Sequence, residues 1–396
     1  TGVYYLIFGG IGFGLNNGLQ ALISRRAGEN KPKEIGTIFQ QGIFISLCIG
    51  AFSILFTYFV APFIFRASIQ SEQIYRDVNS FLQIRMWGLP FLFIYQMRNA
   101  LLVGINRSGL LIIGTAAEAF ANIFFDYTLI FGQFGMPRLG FNGAAYASVI
   151  AEFTGMFAIF LVIKVNGIGR EFSLFKGFAF NRLITLRILQ LSGPLIFQMA
   201  ISVISWFFFY VLVEHQGQTS LAISNTMRNV FGFFGVFNWA FASAANTMVS
   251  NIIGQGKKEE VFHLIKKIMF LSMSVALFFS ILLNLFPSLY FAAFGQGRQF
   301  AEEGTPVLRI VASALFISGG AAVWLNAVTG TGKSKITFLI ELAAIVLYCA
   351  YVYVVLAVKR LPITWGWSSE LIYWSIMLLL SFLYIRSGRW KKAAAI

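Results

Sequence analysis

Residues 14–46 read GLNNGLQALISRRAGENKPKEIGTIFQQGIFIS, and residues 240–272 read AFASAANTMVSNIIGQGKKEEVFHLIKKIMFLS. The two stretches align without a gap at a shift of 226 residues. A second block keeps the same shift and pairs Leu82 with Leu308, Gly104 with Gly330 and Ser108 with Ser334. Identity within each block is low, but one shift shared over most of the chain indicates a duplication. Duplicated halves are typical of secondary transporters.

The composition places the chain in a membrane. Hydrophobic residues make up 58% of it and charged residues only 11%. Apolar runs long enough to cross the hydrocarbon core recur along the whole chain, and backbone groups in lipid require helices there. The sequence therefore predicts an all-α polytopic membrane protein with eleven spans, near residues 3–24, 36–60, 81–104, 110–132, 141–164, 188–213, 219–249, 262–286, 306–329, 336–358 and 368–385.

The net charge of +15 is explained by the placement of lysines and arginines along a membrane protein, and it does not indicate nucleic-acid binding. If the loop after the first span is inside, most lysines and arginines fall in inside segments, among them Arg25, Lys31, Lys257 and Arg386. This asymmetry predicts a cytoplasmic C-terminus. We expect the lipid bilayer and a small organic molecule as partners, and no nucleic acid.

Cysteine and histidine are too sparse for a metal or disulfide framework. The chain has two of each, and both cysteines, Cys48 and Cys349, lie inside apolar spans. We therefore expect no cofactor.

A polar linker at residues 165–187 divides the chain into an N-lobe, 1–164, and a C-lobe, 188–396. Six spans fit within one repeat length, so both halves cross the membrane in the same sense, as parallel repeats do. The span at 188–213 has no counterpart within the first half. We therefore expect one further helix upstream of Thr1 and twelve helices in the intact protein, arranged as two pseudo-symmetric six-helix lobes.

Several motifs resemble those of the multidrug and toxic compound extrusion (MATE) transporters. They lie at Gln20–Asn30, Asn122–Gly132, Met136–Ser148, Ala222–Asn229 and Ala244–Gly256. The resemblance implies two six-helix lobes and cation-driven antiport, with a proton or sodium ion as coupling ion and with substrate bound between or within the lobes. It also implies that Asn122, Asp126 and Ser148 belong to a proton-linked network of the N-lobe.

Acidic residues follow one face of the helix at 110–132. Thr115, Glu118, Asn122 and Asp126 are spaced three or four residues apart, and Ser148 and Glu152 on the next helix face them if the two helices pack together. Charged groups within a span are costly and are usually functional. We predict that Asp126 is the main coupling residue, supported by Asn122, Ser148, Glu118 and Glu152. The alternative is an ordinary interhelical hydrogen bond.

The second half lacks the same acids. The repeat shift maps Asp126 to Val352 and Glu118 to Ala344, and it leaves Glu341 opposite Thr115. We therefore predict that coupling resides in the N-lobe. Candidate residues for a substrate cavity are Asn225, Met227, Asn229, Phe234, Asn238, Gln198 and Glu341. Aromatic and amide groups suit flat organic cations, although lipid-facing aromatics explain much of the same composition.

The sequence favours an antiporter that exports organic cations from a bacterial cytoplasmic membrane, as a monomer and not as an enzyme. A lipid-linked saccharide flippase of the same superfamily is the alternative. A flippase would favour a basic cavity, whereas the mid-span charges here include Arg98 and Arg228 but are mostly acidic. A lipid-modifying membrane enzyme usually carries clustered acids or metal ligands in its loops, and the sequence shows no such cluster.

Overall fold

The computed structural model describes residues 2–295 and 297–392, which are helical over most of their length and contain no strand. The chain divides into two compact units, Thr1–Ile196 and Phe197–Ile396. The all-α class predicted from the sequence is confirmed. The division falls inside a helix, 32 residues past the predicted N-lobe boundary at 164, and the predicted lobe boundaries stay a prediction.

The first unit is a bundle in which α1 packs on α2 and α5, while α6 packs along α7. Its helices are α1 (Gly2–Gly28), α2 (Pro32–Phe59), α3 (Ala61–Ser68), α4 (Glu72–Arg85), α5 (Leu89–Gly104), α6 (Leu111–Phe131), α7 (Phe141–Val165), the short α8 (Ile168–Glu171) and the beginning of α9 (Arg182–Glu214). Proline at the first turn of α2 and of α5 fits these starts, because the first turn leaves its amides without helical partners.

The second unit repeats this order. The end of α9 is followed by α10 (Gln218–Gly254), α11 (Val261–Leu285), α12 (Pro287–Ala293), α13 (Arg298–Gly330), α14 (Ser334–Val352), α15 (Ile363–Trp367) and α16 (Ser369–Arg386). Here α10 packs on α11 and α13, and α14 packs along α16. Trp324 and Trp367 are among the largest fully buried side chains.

Helix ends coincide at the shift that the sequence predicts. The first helix ends at Gly28 and α10 at Gly254, α2 ends at Phe59 and α11 at Leu285, and α5 and α13 end at Gly104 and Gly330. The packing partners recur as well, since α1, α2 and α5 contact one another as α10, α11 and α13 do. The helix ends and the packing partners of the first unit therefore recur in the second, as the duplication in the sequence predicts.

The count of eleven spans is not confirmed. Among the described residues, nine helices are long and apolar enough to cross a membrane by length and composition. The two other expected spans lie on unusual helices. The run at 81–104 is interrupted by a 3-10 turn at Met86–Gly88, and the run at 219–249 lies on the polar helix α10.

The linker at 165–187 is docked against α2. Gln40 donates from Nε2 to the carbonyl oxygens of Leu174 and Lys176, at 3.1 and 2.6 Å. Gln41 donates to the carbonyl of Ala179 at 2.9 Å. Phe172 and Leu174 are buried. The segment therefore belongs structurally to the first unit.

Candidate functional site

A buried ion pair joins α4 to α7 in the first unit. Arg85 donates from Nη1 and Nη2 to the two carboxylate oxygens of Glu152, each at 2.7 Å. Their side chains are only 13% and 8% exposed. Two parallel bonds between a guanidinium and a carboxylate are the strongest geometry available to such a pair. Glu152 is therefore held with its charge compensated.

Tyr5 of α1 completes this cluster. Its hydroxyl lies 2.9 and 3.0 Å from the two oxygens of Glu152, to which it can donate, and it accepts from Nη1 of Arg85 at 2.9 Å. The guanidinium carbon of Arg85 also lies 3.7 Å from the centre of the Tyr5 ring, where cation–π attraction operates. We call Tyr5, Arg85 and Glu152 the first-unit triad.

The chain reaches this geometry through the break between α4 and α5. Arg85 is the last residue of α4, and the 3-10 turn that follows it ends at Gly88. A Cβ on Gly88 would lie 2.6 Å from Nη1 of Arg85 and would also clash with Oε2 of Glu152. Glycine is needed here so that the backbone can approach the ion pair closely.

Glu118 lies beside the first-unit triad. Its carboxylate packs on α7, where a Cβ on Gly155 would lie 2.9 Å from Oε2 of Glu118. The charges of Glu152 and Arg85 both act on it. On the same face, the hydroxyls of Tyr95 and Thr115 lie 3.0 Å apart. The structure thus places Glu118 on the side of α6 that faces α7, near Glu152, and the coupling role of both residues stays a prediction.

Asp126 stands apart from these groups. It is half-buried, and no hydrogen bond from the described residues reaches its buried Oδ1. Asn122 and Ser148 are half-buried as well, and within the described chain neither is hydrogen-bonded to Asp126. The network implied by the family resemblance is not formed in this conformation, and the coupling role of these three residues stays a prediction.

The second unit contains a different carboxylate site. Glu341 of α14 is 5% exposed, and it accepts hydrogen bonds from Gln198 Nε2, from Ser202 Oγ and, at 3.1 Å, from the Tyr373 hydroxyl. No cation among the described residues pairs with it. We call Gln198, Ser202, Glu341 and Tyr373 the Glu341 cluster.

Helix periodicity explains how the Glu341 cluster assembles. Gln198 and Ser202 are four residues apart on α9 and therefore share one face, which meets α14 and α16. The Ser202 hydroxyl also lies 3.0 Å from the carbonyl oxygen of Gln198. Because a hydroxyl has one proton, Ser202 can donate to only one of these two acceptors at a time. The Oε1 of Gln198 is buried, and none of the residues that the structure describes hydrogen-bonds to it.

Two groups that sequence reasoning missed are Arg85 and Glu370. Arg85 is the last residue of α4, and nothing in its sequence position indicates that its side chain turns inward to Glu152. Glu370 of α16 is 4% exposed and accepts a hydrogen bond from Trp374 Nε1 at 3.0 Å. The spacing of Glu370, Tyr373 and Trp374 on one helical face is a signal that could have revealed it.

The predicted cavity residues of α10 are placed differently from one another. Met227 is fully buried in the core, and Asn238 donates to the Leu315 carbonyl at 3.0 Å and to Ser318 Oγ at 2.8 Å. Asn229 is exposed, and Asn225 and Phe234 are half-buried. Burial favours a packing role for Met227 and Asn238, and the role of the others stays a prediction.

Comparison with known proteins identifies related chains. A family model described as MatE matches residues 1–128 and 194–354. A protein of Thermotoga maritima named probable multidrug resistance protein NorM is 25% identical over 384 residues, which cover 96% of this chain and 82% of that protein. A protein of the same name from Halalkalibacterium halodurans is 35% identical over 167 residues, 41% of this chain and 36% of that protein.

Solved structures share the fold. A MATE protein crystallised with MaL6 superposes with a TM-score of 0.90 at 16% identity, over 98% of this chain and 87% of that chain. An outward-facing multidrug resistance MATE family transporter of the MOP superfamily gives a TM-score of 0.88 at 17% identity, over 99% and 88% of the two chains. At these identities the likeness concerns the fold alone.

Proposed function

The chain belongs to the MatE family, and on that premise we propose that it is a cation-coupled antiporter that exports organic cations by alternating access. The relatives named as multidrug resistance proteins support export of drug-like compounds. The multi-pass helical fold is consistent with a bacterial membrane setting. We retain the proposal of a cytoplasmic C-terminus from the charge asymmetry.

The observation that carries the coupling proposal is the environment of Glu341. A charged side chain at mid-membrane costs roughly 2.5–3.5 kcal/mol on insertion scales. Glu341 is buried among three neutral donors, with no cationic partner in the described chain. Such a carboxyl group lowers its free energy by taking up a proton or a small cation. The Glu341 cluster therefore has the chemistry of a coupling site. This extends the predicted coupling in the N-lobe to the second unit, where the sequence predicts Glu341 only as a cavity residue.

The hydrogen bonds of Ser202 support a switch between two states. When Glu341 is ionised, Ser202 donates to it. When Glu341 is protonated, it can donate to Ser202, whose own proton then turns to the carbonyl oxygen of Gln198, 3.0 Å away. A sodium ion would instead find hard oxygen ligands in Glu341, Ser202, Tyr373 and Oε1 of Gln198. Either ion would neutralise the site.

Asp126 is proposed as the coupling group of the first unit. It is the aspartate that lies within a span, and its buried Oδ1 has no hydrogen-bond partner among the described residues. Loading a cation at Asp126 or Glu341 would favour one conformation and weaken binding of a cationic substrate in it. By linkage, substrate binding would release the coupling ion to the same extent.

Transport by the full chain in proteoliposomes tests this proposal. We expect an imposed proton or sodium gradient to drive uptake of a fluorescent organic cation, and Glu341→Gln and Asp126→Asn each to reduce the driven component to near background. The exposed residues Glu303 and Asp77 provide matched controls as Glu303→Gln and Asp77→Asn, which should transport normally.

Two results would contradict the proposal. If neither gradient drives uptake by the wild-type chain, coupled export of organic cations is wrong, and movement of a lipid-linked saccharide becomes the function to assay. If the wild type is driven but Glu341→Gln and Asp126→Asn match it in rate, the coupling groups lie elsewhere.

A further inference from the structure

A groove of about 460 Å³ lies on the first unit between α2, α5, α7 and the docked linker. Its walls are almost entirely apolar and aromatic, and they include Phe39, Ile43, Phe44, Leu47, Phe160 and Phe178. The Phe44 and Phe178 rings are 5.5 Å apart, so the linker forms one wall through direct ring contact. Such a surface accepts a hydrocarbon chain.

Two cations line this apolar groove. Arg98 of α5 donates to the carbonyl oxygen of Met156 and lies 5.4 Å from the centre of the Phe160 ring. Lys176 lies in the linker, where its own carbonyl oxygen accepts from Gln40 at 2.6 Å. No carboxylate of the described residues pairs with either side chain. The groove therefore presents positive charge that the described residues leave uncompensated.

Arg98 lies within its span, but close enough to the end of α5 for a long side chain to reach a lipid phosphate. It lies six residues before the end of α5, about 9 Å along the axis at the helical rise per residue. From that depth a long basic side chain can pair with the phosphate of a lipid whose acyl chain lies in the groove. A free anion would satisfy the charges but would leave the aromatic walls exposed. An anionic amphiphile satisfies both.

The second unit carries a corresponding groove with a different charge. A cavity of about 740 Å³ is lined by Lys266, Met269, Phe270, Trp324 and Phe382, among others. The repeat shift of 226 places Phe270 on Phe44 and Trp324 on Arg98. Trp324 is buried, and its Nε1 donates to the sulfur of Met269 at 3.0 Å. The groove thus recurs in both units, but the position that Arg98 takes in the first unit is taken by the neutral Trp324 in the second.

We propose that the first-unit groove binds an anionic glycerophospholipid, whose phosphate pairs with Arg98 and Lys176 while an acyl chain lies along Phe44, Leu47 and Phe160. The uncompensated cations supply the charge selectivity, and the aromatic walls supply the affinity for the chain. The bound lipid also joins the linker to α5 and α7. This inference is independent of the coupling mechanism.

Native mass spectrometry of the full chain tests the proposal. The purified protein is mixed with equal amounts of dioleoyl phosphatidylglycerol and dioleoyl phosphatidylcholine, whose acyl chains are identical. We expect wild type to retain phosphatidylglycerol preferentially. Arg98→Gln and Lys176→Gln should each lower that preference about fivefold. Lys335→Gln, which removes an exposed charge on α14, is the control and should leave the preference unchanged.

Arg98→Lys separates charge from packing. It keeps the positive charge and should retain most of the preference. Equal retention of the two lipids by wild type would overturn the proposal, as would a preference that survives both Gln variants. Equal losses in Arg98→Lys and Arg98→Gln would also overturn it, because the effect would then come from altered packing.

Discussion

Removing Arg85 from the first-unit triad should destabilise the protein. The geometry of the ion pair sets the expected change in the free energy of unfolding. The substitution Arg85→Gln leaves the Glu152 carboxylate 8% exposed and without a counter-charge. Breaking one side of a buried ion pair typically costs about 3–5 kcal/mol, most of it the penalty of the orphaned charge. The two bonds of 2.7 Å and the burial of both partners place this pair near the upper end.

The same reasoning gives the other members of a double-mutant cycle. Glu152→Gln leaves the Arg85 guanidinium unpaired and should cost a similar amount. Arg85→Gln combined with Glu152→Gln completes the cycle and should cost less than the sum of the single changes, because no charge is left unpaired. Replacing both residues by methionine should cost less still, because it leaves no buried polar group. Tyr5→Phe removes one hydroxyl from the triad and should cost about 1–3 kcal/mol, as expected for a bond to a charged group.

Unfolding of the detergent-solubilised full chain, titrated with sodium dodecyl sulfate and followed by tryptophan fluorescence, measures these differences. Arg76→Gln serves as a control, because Arg76 pairs with Glu72 on the surface and its side chain is 75% exposed. A cost below about 1 kcal/mol for Arg85→Gln would refute the reasoning, since it would place the pair in water. Additive effects of the two single substitutions would refute it equally.

Two further predictions concern the loops and turns. Gly88→Ala should destabilise the protein, because the new Cβ displaces the side-chain ends of Arg85 and Glu152, and it should cost less when both of these residues are methionine. Gly232→Ala is the control and should be harmless, because Gly232 has open space around it. An equal cost of Gly88→Ala in the wild type and in the double methionine variant would show that the ion pair does not cause the effect. Burial opposes ionisation of Glu29, but hydrogen bonds and charge from Arg26 and Lys31 prevail and hold its pKa below the usual 4.5. The contribution of Glu29 to the free energy of unfolding should therefore be complete above pH 4.5 and vanish as the pH falls through the lowered pKa. Glu29→Gln and wild type should unfold alike at about pH 2 and differ at about pH 7. A difference between them that does not change with pH would exclude this linkage.

Hydropathy and internal similarity are enough to establish the class of protein and its repeat. Apolar runs of membrane-spanning length leave only helices as a solution for the backbone, so the all-α class follows from hydropathy. The repeat shift follows from two short blocks of matching residues, and the coincident ends at Gly28 and Gly254, and at Gly104 and Gly330, confirm it. The motifs likewise sufficed to identify the family.

Which charges are paired depends on how the helices pack in three dimensions. Helical periodicity predicted that Glu118 and Glu152 face the same interior, but it could not predict that Glu152 pairs with Arg85, 67 residues away. Arg85 reaches Glu152 only because the chain turns at Gly88. Glu341 acquires its three donors from α9 and α16, which are distant in sequence. Periodicity fixes the face on which a side chain lies, while helix packing fixes what it meets. The free energy of a buried charge in a membrane depends on the groups that it meets.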